Sequence, residues 1–157
     1  MPTIIDGSGS ADFQTPLPIS EGGTGSAVAA AFGRVVRTAG DITTTSTSLV
    51  DATGSSITLT TGANPIAYGA AITFYNSLAY QQGPFNVAID GVLQHGTSGV
   101  VGTYNDTVQK NGSFSGQSAV LAAGVHTVKL QWAVGGGTGT LEANAVRNHM
   151  FYAHEVR

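Results

Sequence analysis

The chain has 157 residues, a net charge of −3 with histidine neutral, and only 10% charged side chains, where about 25% is ordinary for a soluble domain. Six lysines and arginines on a weakly acidic chain are too few for a nucleic-acid-binding surface or for a polybasic segment that binds a membrane. Cysteine is absent, which excludes disulfides and thiolate chemistry. We expect one compact domain without a nucleic-acid partner and without membrane insertion.

Residues 1–33 differ from the rest and predict an extended N-terminal arm, because glycine and proline are frequent and apolar residues are too few to bury a core. Ser26–Phe32 is expected to form one or two helical turns that end at Gly33. The first residues, 1–6, show no charged segment followed by a long apolar run, so we predict no secretory signal and expect synthesis in a cytoplasm. We assign residues 1–33 to attachment or oligomerisation, and residues 34–157 to a separate domain. The candidate attachment residues are Leu17, Pro18, Gly22, Gly23, Thr24 and Gly25.

From Arg34 onward, apolar residues alternate with polar ones, as in half-buried strands. Asp90-Gly91 and Asn111-Gly112 are expected to be hairpin turns. The clearest strand runs from Val125 to Val134 and places Trp132 on its core face. About eight to ten short strands, separated by turn signals, predict an all-β jelly-roll sandwich of antiparallel strands.

The last predicted strand, His149 to Val156, is apolar on both faces. Met150 and Tyr152 lie on one face, whereas Phe151 and Ala153 lie on the other. One face of an antiparallel sheet in an isolated sandwich is normally polar. We therefore expect a neighbouring subunit to cover the second face, with Phe151 and Ala153 as the candidate interface residues.

No pattern of catalytic or metal-ligating residues stands out. His149 and His154 are five residues apart on a strand, so their side chains point to opposite faces. Asp90, Asp106 and Glu142 are expected in turns or on the solvent face rather than as a catalytic carboxylate pair. The glycine-rich part of the arm lacks the lysine of a phosphate-binding loop. We predict no enzymatic activity and no cofactor or intrachain metal site; a histidine ring shared between subunits stays open.

Two loops are candidates for recognition of a host receptor or glycan. Tyr80-Gln81 and Tyr104-Asn105 lie in predicted loops, and tyrosine rings can stack on sugars. Loops at the end of a rigid sandwich commonly carry binding residues.

Two segments resemble proteins of bacteriophage particles. Pro16–Ser26 resembles the Leu-Pro-x-Ser-x-Gly-Gly-Thr-Gly-Ala segment of phage tail fibres and related virion proteins, and an alanine-rich stretch follows it in both. Gly124–Trp132, with Gly139–Leu141 after it, is similar to the last strands of phage fibre and head-decoration domains with tumour-necrosis-factor-type jelly rolls. The resemblance implies a homotrimer in the virion, with other capsid or tail proteins as partners.

The chain is much shorter than a typical tail fibre and has no long shaft repeat. These departures favour a small capsid-decoration, head-fibre or spike protein with a structural role. The alternative is a receptor-binding tail-fibre tip that recognises host surface polysaccharide. A glycan-cleaving enzyme would need a carboxylate pair beside an aromatic cleft, which the sequence does not show.

Overall fold

A computed structural model describes residues 30–100, 103–105 and 107–157, and for residues 103–105 it describes the backbone alone. These residues form strands and loops without any helix, and so without a helix that could cross a membrane. The described strands are β1 (Phe32–Arg37), β2 (Ile42–Thr44), β3 (Val50–Thr61), β4 (Ile66–Asn76), β5 (Gln81–Gly83), β6 (Phe85–Ile89), β7 (Val92–Leu93), β8 (Thr103–Asn105), β9 (Lys110–Gln117), β10 (Gly124–Trp132), β11 (Gly139–Glu142) and β12 (His149–Glu155).

The strands form two main antiparallel sheets and one small ribbon. In the six-stranded sheet, β4 is central: β9 pairs along one side, while β12 and β11 pair with successive halves of the other side. β1 then pairs with β12, and β2 pairs with β11. The second sheet has the order β3-β10-β6-β7, and β5 pairs with β8 in the ribbon.

The order of the strands is that of a jelly roll. Eight of the described strands take the eight jelly-roll positions in chain order: β1, β3, β4, β6, β7, β9, β10 and β12. With these positions numbered one to eight, the six-stranded sheet without β2 and β11 has the order 1-8-3-6. The other main sheet has the order 2-7-4-5. The chain thus passes from sheet to sheet in two Greek keys, which is the double-sheet jelly-roll arrangement. The predicted all-β jelly-roll sandwich is confirmed.

A single apolar core fills the space between the two sheets. Trp132 of β10 is 1% exposed, as its predicted core position requires. Its ring stacks on Phe85 with centroids 6.2 Å apart and meets the edge of Phe74 from the opposite sheet at 5.9 Å. Aromatic packing of this kind joins the two sheets and gives the domain a rigid frame for its outer surfaces.

One of the two predicted hairpins is confirmed, and the other is wrong. Asp90 and Gly91 have φ angles of 51° and 83° between β6 and β7, as a tight two-residue turn requires. Asn111 and Gly112 instead lie inside β9, where they pair with Thr73 and Ile72 of β4. Pairing over the full length of β4 overrides the local turn preference of the Asn-Gly pair.

The sheet begins earlier than the sequence predicts. β1 starts at Phe32, two residues before the expected boundary at Arg34, so Phe32 belongs to a strand and not to a helical turn. Pairing of Phe32 with His154 and of Gly33 with Ala153 fixes this start, and such long-range contacts are invisible to a local pattern. The rest of the arm, up to residue 29, lies outside the described residues.

Candidate interaction surfaces

β12 shows which of its two apolar faces belongs to the core. Phe151 and Ala153 are both 0% exposed within this one chain and pack in the core cluster. They are therefore not residues of a subunit interface, and that prediction assigned the wrong face. Met150, Tyr152 and His154 point away from the core and are partly exposed. Alternation alone could not decide between the faces, because both carry aromatic and aliphatic side chains.

The surface that these three residues share is called the outer face below. It comprises the outward residues of β1, β12 and β4, which lie side by side in three cross-strand rows: Phe32, His154, Ala67; Arg34, Tyr152, Gly69; and Val36, Met150, Ala71. Phe32 is 63% exposed and Val36 is 42% exposed, although both are large apolar side chains. Arg34 is the single lysine or arginine among the nine, and they include no carboxylate.

Small residues on β4 leave room for the large side chains of β12 on the outer face. A Cβ atom at Gly69 would lie 2.5 Å from the Tyr152 hydroxyl oxygen and 2.9 Å from the backbone oxygen of Phe114. The Tyr152 ring therefore occupies the space above Gly69, where any side chain would collide with it. His154 stacks on Tyr152 with ring centroids 6.4 Å apart and planes 18° apart. The result is an ordered aromatic ridge beside a floor of small residues.

The two predicted recognition loops are brought together in the β5–β8 ribbon. Gln81 pairs with Asn105, and Gln82 pairs with Tyr104, so both loops belong to one antiparallel ladder. Tyr80 comes directly before the ribbon, is 81% exposed and has a φ of 61°. A left-handed tyrosine is uncommon, and such backbone conformations are frequent at functional sites. The sequence suggested the loops separately but contained no sign that they pair.

The Gly135-Gly136-Gly137 segment between β10 and β11 holds the ribbon against the sandwich. Gly135 donates its backbone N–H to the Gln82 carbonyl at 2.8 Å, and Asn76 donates its side-chain amide to the Gly136 carbonyl at 2.9 Å. A Cβ at Gly135 or Gly136 would lie 3.1 Å from the Gln81 side-chain oxygen. The segment thus packs closely against Gln81, and the ribbon has a rigid base.

An open groove of about 580 Å³ lies beside the ribbon, at the same end of the sandwich. The described residues that line it carry no charge and combine hydroxyl groups, one amide and aliphatic side chains. They are Thr47, Ser48, Leu49, Gln82, Pro84, Leu93, Thr97, Ser98 and Ala133. This chemistry suits an uncharged ligand that offers both hydroxyl groups and apolar C–H surface.

A serine–histidine pair that the sequence analysis missed lies in the core. Ser55 Oγ and His149 Nε2 are 2.9 Å apart, although 94 positions separate them in the chain. Both residues are buried, at 2% and 0% exposure, so no substrate reaches them. Burial, with the nearby positive charge of Arg37, lowers the pKa of His149 to about 4. The pair is neutral and structural, and the described residues contain no group of three histidines or carboxylates that would hold a metal ion.

A buried carboxylate fixes the point where the arm joins the domain. Glu155 accepts hydrogen bonds from the Gly62 N–H and the Asn64 amide at 2.8 Å, from Arg157 Nε at 2.8 Å, and from the Ala31 N–H at 3.3 Å. The bonds from Asn64 and Arg157 are the main reason that the pKa of Glu155 falls to about 2. An ionised Glu155 therefore ties Ala31 to the end of β12.

The predicted attachment residues of the arm, Leu17, Pro18, Gly22, Gly23, Thr24 and Gly25, lie outside the described residues. Their role stays a prediction.

No family model matches the chain, and no curated protein matches it. Similar solved structures include the VP2 subviral particle of infectious bursal disease virus, with a TM-score of 0.40 and 12% identity over 79% of this chain and 37% of that chain. The Gx strain of the same virus gives a TM-score of 0.41 and 10% identity over 79% and 36%. The chain thus spans little more than a third of these structures. A likeness at this level assigns neither a function nor a partner to it.

Proposed function

We propose that the chain is a non-enzymatic structural protein of a bacteriophage particle, and that it assembles as a homotrimer through the outer face. The arm that precedes β1, residues 1–31, attaches the trimer to other capsid or tail proteins, in the role of a capsid-decoration, head-fibre or spike protein. The observation that carries the proposal is the apolar outer face of the six-stranded sheet. The sequence resemblance supplies the particle and the number of subunits.

The composition of the outer face supports a protein partner. An outward sheet face is normally polar, whereas this one exposes Phe32 and Val36 beside Met150 and Tyr152. Contiguous exposed apolar residues on a soluble domain mark a surface that something covers. Arg34 is the one permanent charge on the face, so a partner with many charges would find one complementary group at most. A second copy with the same apolar surface suits it better.

The shape of the outer face suits a closed ring. Phe32 and Val36 project from β1 at one side of the face, while Ala67 and Ala71 on β4 form low positions on either side of the Tyr152 ring, which covers Gly69. In a ring, the projecting side of each copy packs into the low positions of the next copy. Contacts of this heterologous kind form a ring when the rotation between copies closes, and an open filament when it does not.

The residue at which the arm joins the domain, Ala31, lies next to the outer face. Glu155 accepts the backbone N–H of Ala31, which directly precedes Phe32 of the outer face. In a trimer the three copies of Ala31, where the arm joins the domain, would therefore lie beside the central contact. This placement supports attachment of the whole trimer at a single site on a particle.

The experiment compares variants of the full chain by sedimentation velocity. Phe32→Ser with Val36→Ser removes the two exposed apolar side chains of the face, and we expect a trimer to become a monomer. The matched control is Val125→Ser, because Val125 is 65% exposed and lies on the other sheet. The control stays trimeric. If the face variant sediments as wild type does, the outer face is not the interface and the proposal is wrong.

The second candidate function is a receptor-binding tip that recognises a host polysaccharide, and the exposed left-handed Tyr80 favours it. The uncharged groove beside the ribbon has the hydroxyl and apolar groups that neutral sugars require. We expect wild type to bind host surface polysaccharide on a glycan array and Tyr80→Ala to bind it weakly. A wild-type protein that binds none of these glycans would remove this candidate and leave the structural role in place.

A further inference from the structure

β9 is an open edge of the six-stranded sheet. It pairs with β4 without interruption from Lys110–Phe74 to Gln117–Ala67, and no bulge disturbs the register. In the described part of the chain, no strand pairs with its other side. Edge strands usually carry proline, bulges or several charges that prevent pairing with another chain. β9 has no proline, and its one charged residue is Lys110 at the very start.

The sequence of β9 is nearly the same in both directions. Gly112-Ser113-Phe114-Ser115-Gly116 is a palindrome centred on Phe114, and it is flanked by two amide residues, Asn111 and Gln117. When two antiparallel copies of a strand align about a central residue, each position faces its mirror position in the other copy. Here serine faces serine, glycine faces glycine, and amide faces amide.

We propose that β9 pairs with β9 of a second copy about a twofold axis at Phe114, joining the six-stranded sheets of two molecules into one continuous sheet. The occupant of the open edge is thus the same chain. The contact is isologous, because each copy presents the same strand. It uses a different surface and a different symmetry from the proposed trimer contact, and it does not depend on that proposal.

The side chains of β9 suit this pairing on both faces of the sheet. The outward residues Ser113 and Ser115 are exposed, short and hydroxylated, and serine hydroxyl groups form favourable cross-strand pairs. On the inward face, Phe114 is only partly buried and stacks on Phe85 with centroids 6.4 Å apart. Pairing would bring the two Phe114 rings together, and each ring would then shield the edge of the other molecule's core from solvent. Aromatic cross-strand pairs stabilise sheets.

The charge at the strand end also permits the pairing. In the register centred on Phe114, Lys110 lies opposite Ser118 of the other copy and not opposite a second lysine. Like charges directly opposite each other would destabilise a strand pair. One pair of eight-residue strands makes a small interface, so we expect transient association between free molecules. Molecules held close together, as on a particle surface, would associate more strongly because their effective concentration is higher.

Disulfide trapping tests the register. The chain contains no cysteine, so every disulfide must form between the introduced residues. Full-length Ser113→Cys and Ser115→Cys are mixed under mild oxidation, and the products are identified by mass. The two positions face each other across the proposed axis, so we expect the mixed disulfide to exceed both homodisulfides several-fold. Asn111→Cys mixed with Gln117→Cys should behave in the same way, whereas Asn111→Cys with Ser113→Cys should not.

The matched control is Ser56→Cys mixed with Thr58→Cys, at exposed outward positions of β3 in the other sheet. We expect the statistical mixture of disulfides there. The register-specific products should persist in Phe32→Ser with Val36→Ser, which separates them from the trimer contact. The product of Asn111→Cys with Gln117→Cys should disappear when both strands also carry Ser113→Lys and Ser115→Lys, because the lysines would then face each other across the axis. A statistical mixture at β9 would overturn the proposal. So would cysteines that form no disulfide and resist thiol reagents, because the edge would then be covered by another part of the same chain.

Discussion

The Tyr152 ring occupies the space directly above Gly69, its cross-strand partner on β4. A Cβ atom at position 69 would lie 2.5 Å from the Tyr152 hydroxyl oxygen and 2.7 Å from the ring carbon that carries it. The orientation of the Tyr152 side chain on the outer face thus depends on the missing side chain below it. This relationship links the local packing of one glycine to the proposed assembly.

Gly69→Ala should weaken the trimer. The new methyl group displaces Tyr152 and also lies 2.9 Å from the backbone oxygen of Phe114, which cannot move freely. Overpacking of this kind costs about 1–3 kcal/mol of unfolding free energy. We expect a lower melting temperature and a shift from trimer to monomer in sedimentation. Gly112→Ala is the control, because its Cβ would be 3.8 Å from the nearest atom. Equal behaviour of both variants would show that Tyr152 is not held by Gly69.

The His126–Asp90 pair should make stability depend on pH. Nδ1 of His126 lies 2.6 Å from Asp90 Oδ2, and Nε2 lies 2.9 Å from the Ala122 carbonyl oxygen. Both ring nitrogens face acceptors, so the protonated imidazole fits best. The hydrogen bond with Asp90 raises the pKa of His126 and lowers the pKa of Asp90.

The raised pKa of His126 gives stability that is complete below its ordinary pKa of 6.5 and is lost as pH rises through the folded value. The lowered pKa of Asp90 gives stability that is lost as pH falls below 3.8. We expect His126→Asn to reduce the melting temperature more at about pH 5.5 than at about pH 8.5. Asp90→Asn keeps the turn, since asparagine tolerates a φ of 51°, and should show the same trend. A reduction that is equal at both pH values would contradict the charged pair.

Glu155→Gln should destabilise the domain at neutral pH and much less in acid. The four donors around Glu155 favour the ionised carboxylate, and its pKa is lowered from 4.5 to about 2. Its contribution is therefore complete above pH 4.5 and is lost as pH falls towards 2. Melting temperatures of wild type and variant should converge over that range. Parallel curves would show that the carboxylate is not ionised in the folded protein.

Tyr80 should lower the unfolding free energy of the domain, although its side chain is a candidate for glycan recognition. Its left-handed backbone costs about 1–2 kcal/mol relative to an unstrained residue, and glycine avoids this cost. We expect Tyr80→Gly to raise the unfolding free energy in urea, and Tyr80→Ala to leave it nearly unchanged because alanine keeps the strain. If the ribbon binds a glycan, both variants lose that binding. A Tyr80→Gly variant that is no more stable than Tyr80→Ala would show that position 80 is not strained.

The sequence predicts the parts of the fold that depend on local alternation and turn chemistry. The alternation around Trp132 identifies β10 and its core face, and the Asp90-Gly91 pair identifies a turn whose backbone requires such residues. Both features are decided by neighbours within a few positions. The sandwich architecture follows from the repetition of such signals, although the structure describes twelve strands where the sequence predicts eight to ten.

The errors all involve contacts between distant segments. The Asn111-Gly112 sequence predicts a turn, but its pairing with β4 makes it part of a strand. The sequence assigns Phe151 to an interface because both faces of β12 are apolar. Only the packing of the whole sandwich decides which of these faces is buried in the core. The ladder between Gln82 and Tyr104 and the Ser55–His149 contact join segments that have no common local signal.

The central claim is that the chain assembles as a trimer through the outer face. The most direct measurement is the solution mass of the full-length protein by light scattering behind size exclusion, at a low concentration that disfavours the β9 contact. The account predicts a stable particle of three chains of 15.9 kDa each. A monomer that persists as concentration rises would contradict it, because the exposed Phe32 and Val36 would then have no partner copy in solution.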